Sequence, residues 1–379
     1  MARRVWLALA LVVVAAALAG WLRPDLTDLH VYRYGGRALL DGLSPYTADE
    51  PVTGLPFTYP PFAAATMLPL AVLPAQAAAA VWTAASVTAL TAVVVVALRE
   101  VGLDARGWLV PGLVLGALAL EPVWQNLTFG QVNLVLMAAV VVDVTRPERR
   151  YSGVLVGLAA GIKLTPLVFV VLLLLVGRRA AAGRATLTFL ATVGVGFVLA
   201  PGAAASYWTL GLLDADRVGP PWLAHNQSVY GVLTRLLDDS PPALLWLGVA
   251  LPLLGAMLVL ATAWWRRGDR LLGTGLAGLA MLLASPVSWS HHWVWAVPVA
   301  IALWPHGRGL AVAWTFVFVA RPVLWPPWGE RRELTWGFLD HVAGDAYVLA
   351  AVGIAVWAAV RLAHESAEPD RSHSSARMA

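Results

Sequence analysis

The feature that most constrains this chain is a succession of apolar runs separated by arginine-rich turns, starting with Val5 to Trp21. A bilayer core about 30 Å thick takes roughly 17 to 25 apolar residues in a helix, and the first run has that length. Further runs follow at 75–98, 108–123, 132–145, 185–201, 243–265, 271–285, 287–304, 309–325 and 345–362. With 59% hydrophobic residues, 13% charged and a mean hydropathy of +0.72, the 379-residue chain departs far from soluble proteins, where about 25% of residues are charged. The expected class is an all-α polytopic membrane protein. The basic Met1-Ala-Arg-Arg start also suits a signal peptide, but the many later spans favour an uncleaved first span.

Arginine placement orders the runs. Between 152 and 177 lies an apolar stretch flanked by Arg146, Arg149 and Arg150 before it and Arg178, Arg179 and Arg184 after it. Both flanks belong on the inner side by the positive-inside rule, so a hairpin of two short helices is expected, with Lys163-Leu-Thr-Pro166 at its tip. Counting this hairpin gives about twelve crossings with both termini cytoplasmic. Seventeen of the 26 basic residues then fall inside. A single membrane domain over 1–363 is expected, with outward segments at 23–74, 202–242 and 326–344 and a disordered cytoplasmic tail at 364–379. Within the first outward segment, 61–74 is short and bounded by proline, which suits interfacial or re-entrant helices.

The polar residues that interrupt this apolar chain are the candidates for chemistry. Asp25, Asp28 and His30 follow the first span directly, with Tyr32 and Tyr59 in the same outward segment. A positioned carboxylate there can act as general base, an effect of roughly 10²- to 10⁴-fold, or it can cap the helix beginning near Thr27. Lys163 is the only lysine. An ammonium near mid-membrane costs about 2.5–3.5 kcal/mol, so an internal polar cavity and an anion such as phosphate are the expected partners, against snorkelling to the interface. Ser285-Pro-Val-Ser-Trp-Ser-His-His-Trp293 places Trp289, His291 and His292 where imidazoles can bind phosphate and indoles can stack on a sugar, or simply form an interfacial belt. His225, Asn226 and Gln227, with Gln131 and Asn133, add hydrogen-bonding groups on the same face. Cysteine is absent, and no zinc motif, phosphate loop or Ser/His/Asp arrangement appears. Scattered charge excludes a nucleic-acid partner.

Six short motifs recur in a familiar order: Asp28-Leu-His-Val-Tyr32, Tyr59-Pro-Pro61, Gly130-Gln-Val-Asn133, Lys163-Leu-Thr-Pro166, His225-Asn-Gln-Ser228 and Ser285 to His292. From about residue 24 to 300 the chain resembles glycosyltransferase family 87, the polyprenol-phosphate-mannose-dependent α-(1→2)-mannosyltransferases and related arabinofuranosyltransferases of actinobacteria. The resemblance implies a GT-C membrane fold, a polyprenyl-phosphate mannose donor, a glycolipid or glycan acceptor and inverting transfer on the periplasmic face. It implies Asp28 as catalytic base, with Asp25 the alternative, and His292 or its neighbour His291 as the functional histidine. Lys163, His291, Tyr32, Tyr59, Gln131, Asn133, His225, Asn226, Gln227 and Trp289 would bind the donor phosphate or sugars. Neither a metal nor another cofactor is expected. An arabinose donor is one alternative, and a transporter or flippase using Lys163 is another, disfavoured by the one-sided polar segments and the lack of a repeat.

Overall fold

In the computed structural model, which describes residues 2–211 and 218–375, the chain folds into a helical bundle. Among the described residues the only β pairing is an isolated bridge between Asn226 and Trp289. Helix α1 (Ala2–Leu22) runs antiparallel to α5 (Ala75–Glu100), and Gly20 lets the two approach so closely that a Cβ there would meet the Ala79 carbonyl at 2.6 Å. Between them lie α2 (Thr27–Leu40) and two short helices, α3 (Pro61–Thr66) and α4 (Leu68–Ala71), too short to cross a bilayer. Arg33 donates to the carbonyls of Leu70 (3.1 Å) and Leu73 (2.6 Å) and so ties α2 to this pair.

After α6 (Leu109–Ala117), helices α7 (Glu121–Phe129) and α8 (Asn133–Thr145) form one broken element bent by 119° at Gly130. Gly130 has φ +70°, and a Cβ would strike Leu26 and Leu29 at 2.9 and 3.0 Å. The bend is therefore pressed against the first turn of α2. Glycine is required there twice over, by backbone conformation and by space.

The expected hairpin forms. Helices α9 (Val154–Ile162) and α10 (Leu167–Leu175) start and finish at the same end of the bundle, where Arg178 donates to Val144 O (2.7 Å) and Arg184 to Ser152 O (2.8 Å). The Asp143 carboxylate caps α9 through the amides of Gly153 (2.8 Å) and Val156 (3.1 Å). At about 1.5 Å per residue a helix as short as α9 climbs only some 13–14 Å, half of a ~30 Å hydrocarbon core. Lys163 ends it in extended backbone (φ −146°, ψ 132°) at the hairpin tip.

Helices α11 (Arg179–Leu199), α12 (Pro201–Ser206), α13 (Val229–Leu237), α14 (Ala243–Arg266), α15 (Arg270–Ala284), α16 (Ala296–Leu303), α17 (Arg308–Ala320), α18 (Phe338–Gly344) and α19 (Ala346–Ser375) complete the order. Among the described residues five helices are long and apolar enough to cross a membrane, α1, α5, α11, α14 and α19, or six with the broken α7–α8 pair. The others expected as crossings are shorter or interrupted helices within the bundle. Helix α19 runs to Ser375, into the segment expected as a tail; 376–379 lie outside the described residues, as do 212–217 of the 202–242 segment.

Basic residues gather at one end of the bundle. There Arg270 donates to Thr145 O (3.4 Å), Arg266 to Leu175 O, and Arg267 pairs with Glu365 (3.6 Å). The opposite end carries the polar loops, held by a buried clasp: Arg235 pairs with Asp345 at 2.6 Å and donates to the carbonyls of Leu223 and Asn226. Removing one member of such a buried pair costs about 3–5 kcal/mol.

Candidate active site

At the polar end a cavity of about 520 Å³ opens between α2, the α7–α8 bend, the Lys163 hairpin tip and the loops around His225 and Trp289. Its volume falls in the usual range for small-molecule sites, roughly 300–1,000 Å³. Asp28, Tyr59, Gln131, Lys163, His225, Trp289, His291 and His292 all line it. Residues up to 264 positions apart in the chain thus share one chamber.

Asp28 lies in the first turn of α2, two residues after the N-cap Leu26, and lines the cavity. The low-dielectric surroundings push its pKa up from 3.8 to about 6; a hydrogen bond from the Gln131 side chain and the Lys163 charge oppose the rise. The Gln131 carbonyl oxygen already accepts from Tyr32 (2.9 Å), Asn133 (3.3 Å) and Tyr59 (3.4 Å). Its amide NH₂ is therefore the group left to face Asp28. Tyr32 is buried behind this contact, its hydroxyl 3.0 Å from that of Tyr59, and lies off the cavity wall. Asp25 is set apart from this network, exposed and 3.8 Å from the His30 imidazole.

Lys163 reaches Asn133 Oδ1 (3.1 Å) and His292 Nε2 (2.9 Å), with the Tyr59 ring 5.9 Å away. It does not snorkel. A charged ammonium has hydrogens and no lone pair, so with Lys163 protonated His292 Nε2 is the acceptor and the imidazole is neutral with its proton on Nδ1. Asn133 completes the link: its amide donates to Gln131 Oε1 and to the His291 carbonyl (3.3 Å). A continuous polar chain thus runs from Asp28 through Gln131 and Asn133 to Lys163 and His292.

His291 packs at right angles to His292 (4.7 Å) and to Phe129 (5.5 Å), and its Nε2 is buried without a hydrogen-bond partner. The short 3₁₀ turn carrying both histidines, Ser290–Trp295, sits against α7, where the fully buried Glu121 accepts from the Tyr347 hydroxyl (3.0 Å). Glu121, Phe129 and Tyr207 were missed as candidates. Glu121 falls at the end of the 108–123 run and Phe129 between it and the 132–145 run, where a charge and an aromatic ring were the available signal.

His225 lines the cavity against Trp328, ring centroids 5.2 Å apart, and burial lowers its pKa while Glu333 opposes the shift. Its neighbours face elsewhere, contrary to expectation. Asn226 is fully buried, donating to the carbonyls of Pro221 and Pro286 and accepting from the Ser288 amide (2.9 Å). Gln227, also buried, donates to Ala224 and Gly344 and accepts from the Tyr347 amide. Both amides are consumed by backbone groups that would otherwise be unpaired: Asn226 laces the His225 loop to the Trp289 loop, Gln227 laces it to the junction of α18 and α19, and both lie off the cavity wall. Among the described residues no group of three or more His, Asp or Glu side chains is arranged to hold a metal ion.

A half-buried carboxylate with a raised pKa and an ammonium thus share one chamber of a bundle that has helices long and apolar enough to cross a membrane. Groups of these kinds can act as a base and bind an anion. The family model for glycosyltransferase family 87 matches residues 57–286. A polyprenol-phosphate-mannose-dependent alpha-(1-2)-phosphatidylinositol pentamannoside mannosyltransferase of Mycolicibacterium smegmatis is 36% identical over 364 residues, covering 88% of this chain and 85% of the relative. A polyprenol-phosphate-mannose-dependent alpha-(1-2)-phosphatidylinositol mannoside mannosyltransferase of Mycobacterium tuberculosis is 36% identical over 371 residues, covering 88% and 84%. The chain belongs to glycosyltransferase family 87. No solved structure matches it significantly.

Proposed function

We infer that this glycosyltransferase moves a mannosyl unit from a polyprenyl-phosphate donor to a hydroxyl of a phosphatidylinositol mannoside, on the periplasmic face of a GT-C bundle with about twelve membrane helices. The donor and acceptor classes are supported by the relatives, which are mannosyltransferases dependent on polyprenol-phosphate-mannose and named for such acceptors. The orientation is supported by the basic residues gathered at the end opposite the cavity.

In this reading Asp28 takes the proton of the acceptor hydroxyl as that oxygen attacks the anomeric carbon. The bond from that carbon to the phosphate oxygen breaks on the opposite face, its electron pair stays on the phosphate, and the configuration inverts. Polyprenyl monophosphate is a stable anion and needs no proton to depart. It needs its negative charge stabilised: Lys163 supplies the positive charge and neutral His292 a hydrogen-bond donor at Nδ1; a unit-charge pair at about 4 Å contributes roughly 4 kcal/mol at an effective dielectric of 20. The role a metal plays in other phosphate-handling sites falls here to Lys163, so transfer is expected to proceed without divalent cations. His291, His225 and Trp289 are assigned to sugar contacts.

The single observation that carries the reading is the joint placement of Asp28 and Lys163 on one chamber, linked through Gln131 and Asn133. Purified protein incubated with polyprenyl-phosphate mannose and a phosphatidylinositol mannoside should yield mannosylated lipid and free polyprenyl phosphate in equal amounts. Substrate moved across a vesicle membrane with no free polyprenyl phosphate would identify a transporter instead.

A further inference from the structure

A second large cavity, about 480 Å³, lies away from the active site between the C-terminal part of α5, α6, α16 and α17. Its walls are apolar, with Leu103, Leu109, Ile301, Trp304, Val312 and Phe316 among them, and the hydroxyl of its one polar lining residue, Thr315, is bonded to Ala311 O at 2.8 Å. Nothing in it suits a sugar. Its floor follows α17 from Ala311 to Val319, a rise of about 12 Å at ~1.5 Å per residue. One leaflet of a ~30 Å hydrocarbon core has nearly that depth.

The mouth is cationic. The Arg308 guanidinium lies 5.5 Å over the ring of Trp304, which itself lines the groove, and Arg106 stands on the turn between the lining residues Leu103 and Leu109. Among the described residues neither arginine forms an ion pair with a carboxylate. The nearby Asp104 carboxylate accepts from the Arg106 backbone amide and caps its own turn. An apolar slot about 12 Å long, with Arg308 over its lining Trp304 and Arg106 on the turn beside it, neither paired with a carboxylate, matches the upper part of one acyl chain under one phosphate.

We propose that this groove is a binding site for an anionic phospholipid of the leaflet at the basic end of the bundle, its acyl chain between α6 and α17 and its phosphate between Arg106 and Arg308. It is distinct from the donor lipid of the active site, whose cavity opens at the other end. Each basic residue near a membrane surface contributes about 1 kcal/mol toward an anionic lipid, so two predict a preference of roughly 30-fold over a zwitterionic lipid with the same chains.

Delipidated full-length protein in detergent, titrated with phosphatidylglycerol or phosphatidylcholine of identical chains and read by native mass spectrometry, tests this. One phosphatidylglycerol should be retained per protein at a concentration about 30-fold below that needed for phosphatidylcholine. The double variant Arg106→Ser, Arg308→Ser should lose that preference while still binding both lipids weakly. Val312→Trp, which fills the groove at an exposed position and leaves both arginines, should lose tight retention of either lipid. Thermal unfolding of each variant checks that the bundle remains folded. Equal retention of the two lipids, a preference unchanged in the double arginine variant, or occupation of this face by a second copy of the chain would overturn the proposal.

Discussion

Replacing Asp28 with asparagine should move catalysis and stability in opposite directions. Burial raises this carboxyl from 3.8 to about 6, and a difference of that size corresponds to about 3 kcal/mol of free energy spent on holding the ionised form in the fold. The folded pKa lies above the unfolded one. Below about pH 4 the group is protonated in both states and the cost is absent; between pH 4 and 6 the unfolded chain ionises first and the cost grows; above 6 it is present in full. Asparagine keeps the shape and carries no charge, and Lys163 retains Asn133 and His292 as partners. At pH 7.5 the variant should therefore be more stable than the parent by up to about 3 kcal/mol, less whatever the open cavity screens, and at pH 4 the two should match. Turnover should fall by roughly 10²- to 10⁴-fold, the usual contribution of a general base. Thermal unfolding in nanodiscs at both pH values, with mannosyl transfer measured on the same preparations, gives both quantities. A variant that is less stable at pH 7.5, or one that keeps its turnover, would refute the assignment of a strained, buried base.

Three further outcomes follow from the same geometry. In the parent enzyme kcat/KM for the acceptor should rise with pH through a step near 6, since only ionised Asp28 accepts a proton; no rise between pH 5 and 7 would count against this. Lys163→Met should lower kcat/KM for the donor by about 10²- to 10³-fold, within the roughly 4 kcal/mol available to a charge pair, and steady-state kinetics with varied donor would show it. Gly130→Ala should lower both activity and unfolding temperature, because the new Cβ meets Leu26 and Leu29 at 2.9 and 3.0 Å in a left-handed backbone; normal turnover in that variant would mean the bend does not set the α2 turn that carries Asp28.

Much of the site was legible because charge is so expensive in an apolar chain. Lys163 stood out as the only lysine within a long greasy run, and the arginines on both flanks implied the hairpin whose tip it occupies. Asp28 and the His291-His292 pair were visible as polar interruptions. Spacing alone could not say which way a side chain turns. Asn226 and Gln227 sit beside His225 in sequence, yet their amides close backbone bonds while the imidazole faces the cavity. Tyr32 lay within the right motif, but only the packing shows that it braces Gln131 from behind. Helix lengths were the least legible feature. Apolar content marks a segment as suited to lipid, whereas breaks such as the 119° bend at Gly130 depend on what the neighbouring helix leaves room for. Glu121, wholly buried, escaped notice because its partner Tyr347 is 226 residues away.

We propose that one chamber joins a base on Asp28 to a phosphate-binding Lys163 for transfer of mannose from a polyprenyl-phosphate donor. The most direct test is purified protein, treated with a chelator, given radiolabelled polyprenyl-phosphate mannose and, separately, its arabinose counterpart, each with a phosphatidylinositol mannoside acceptor. Label from the mannose donor should appear in the lipid acceptor with an equal amount of free polyprenyl phosphate, and the Asp28→Asn protein should give neither. Transfer from the arabinose donor alone, or mannosyl transfer undiminished by Asp28→Asn, would contradict the account.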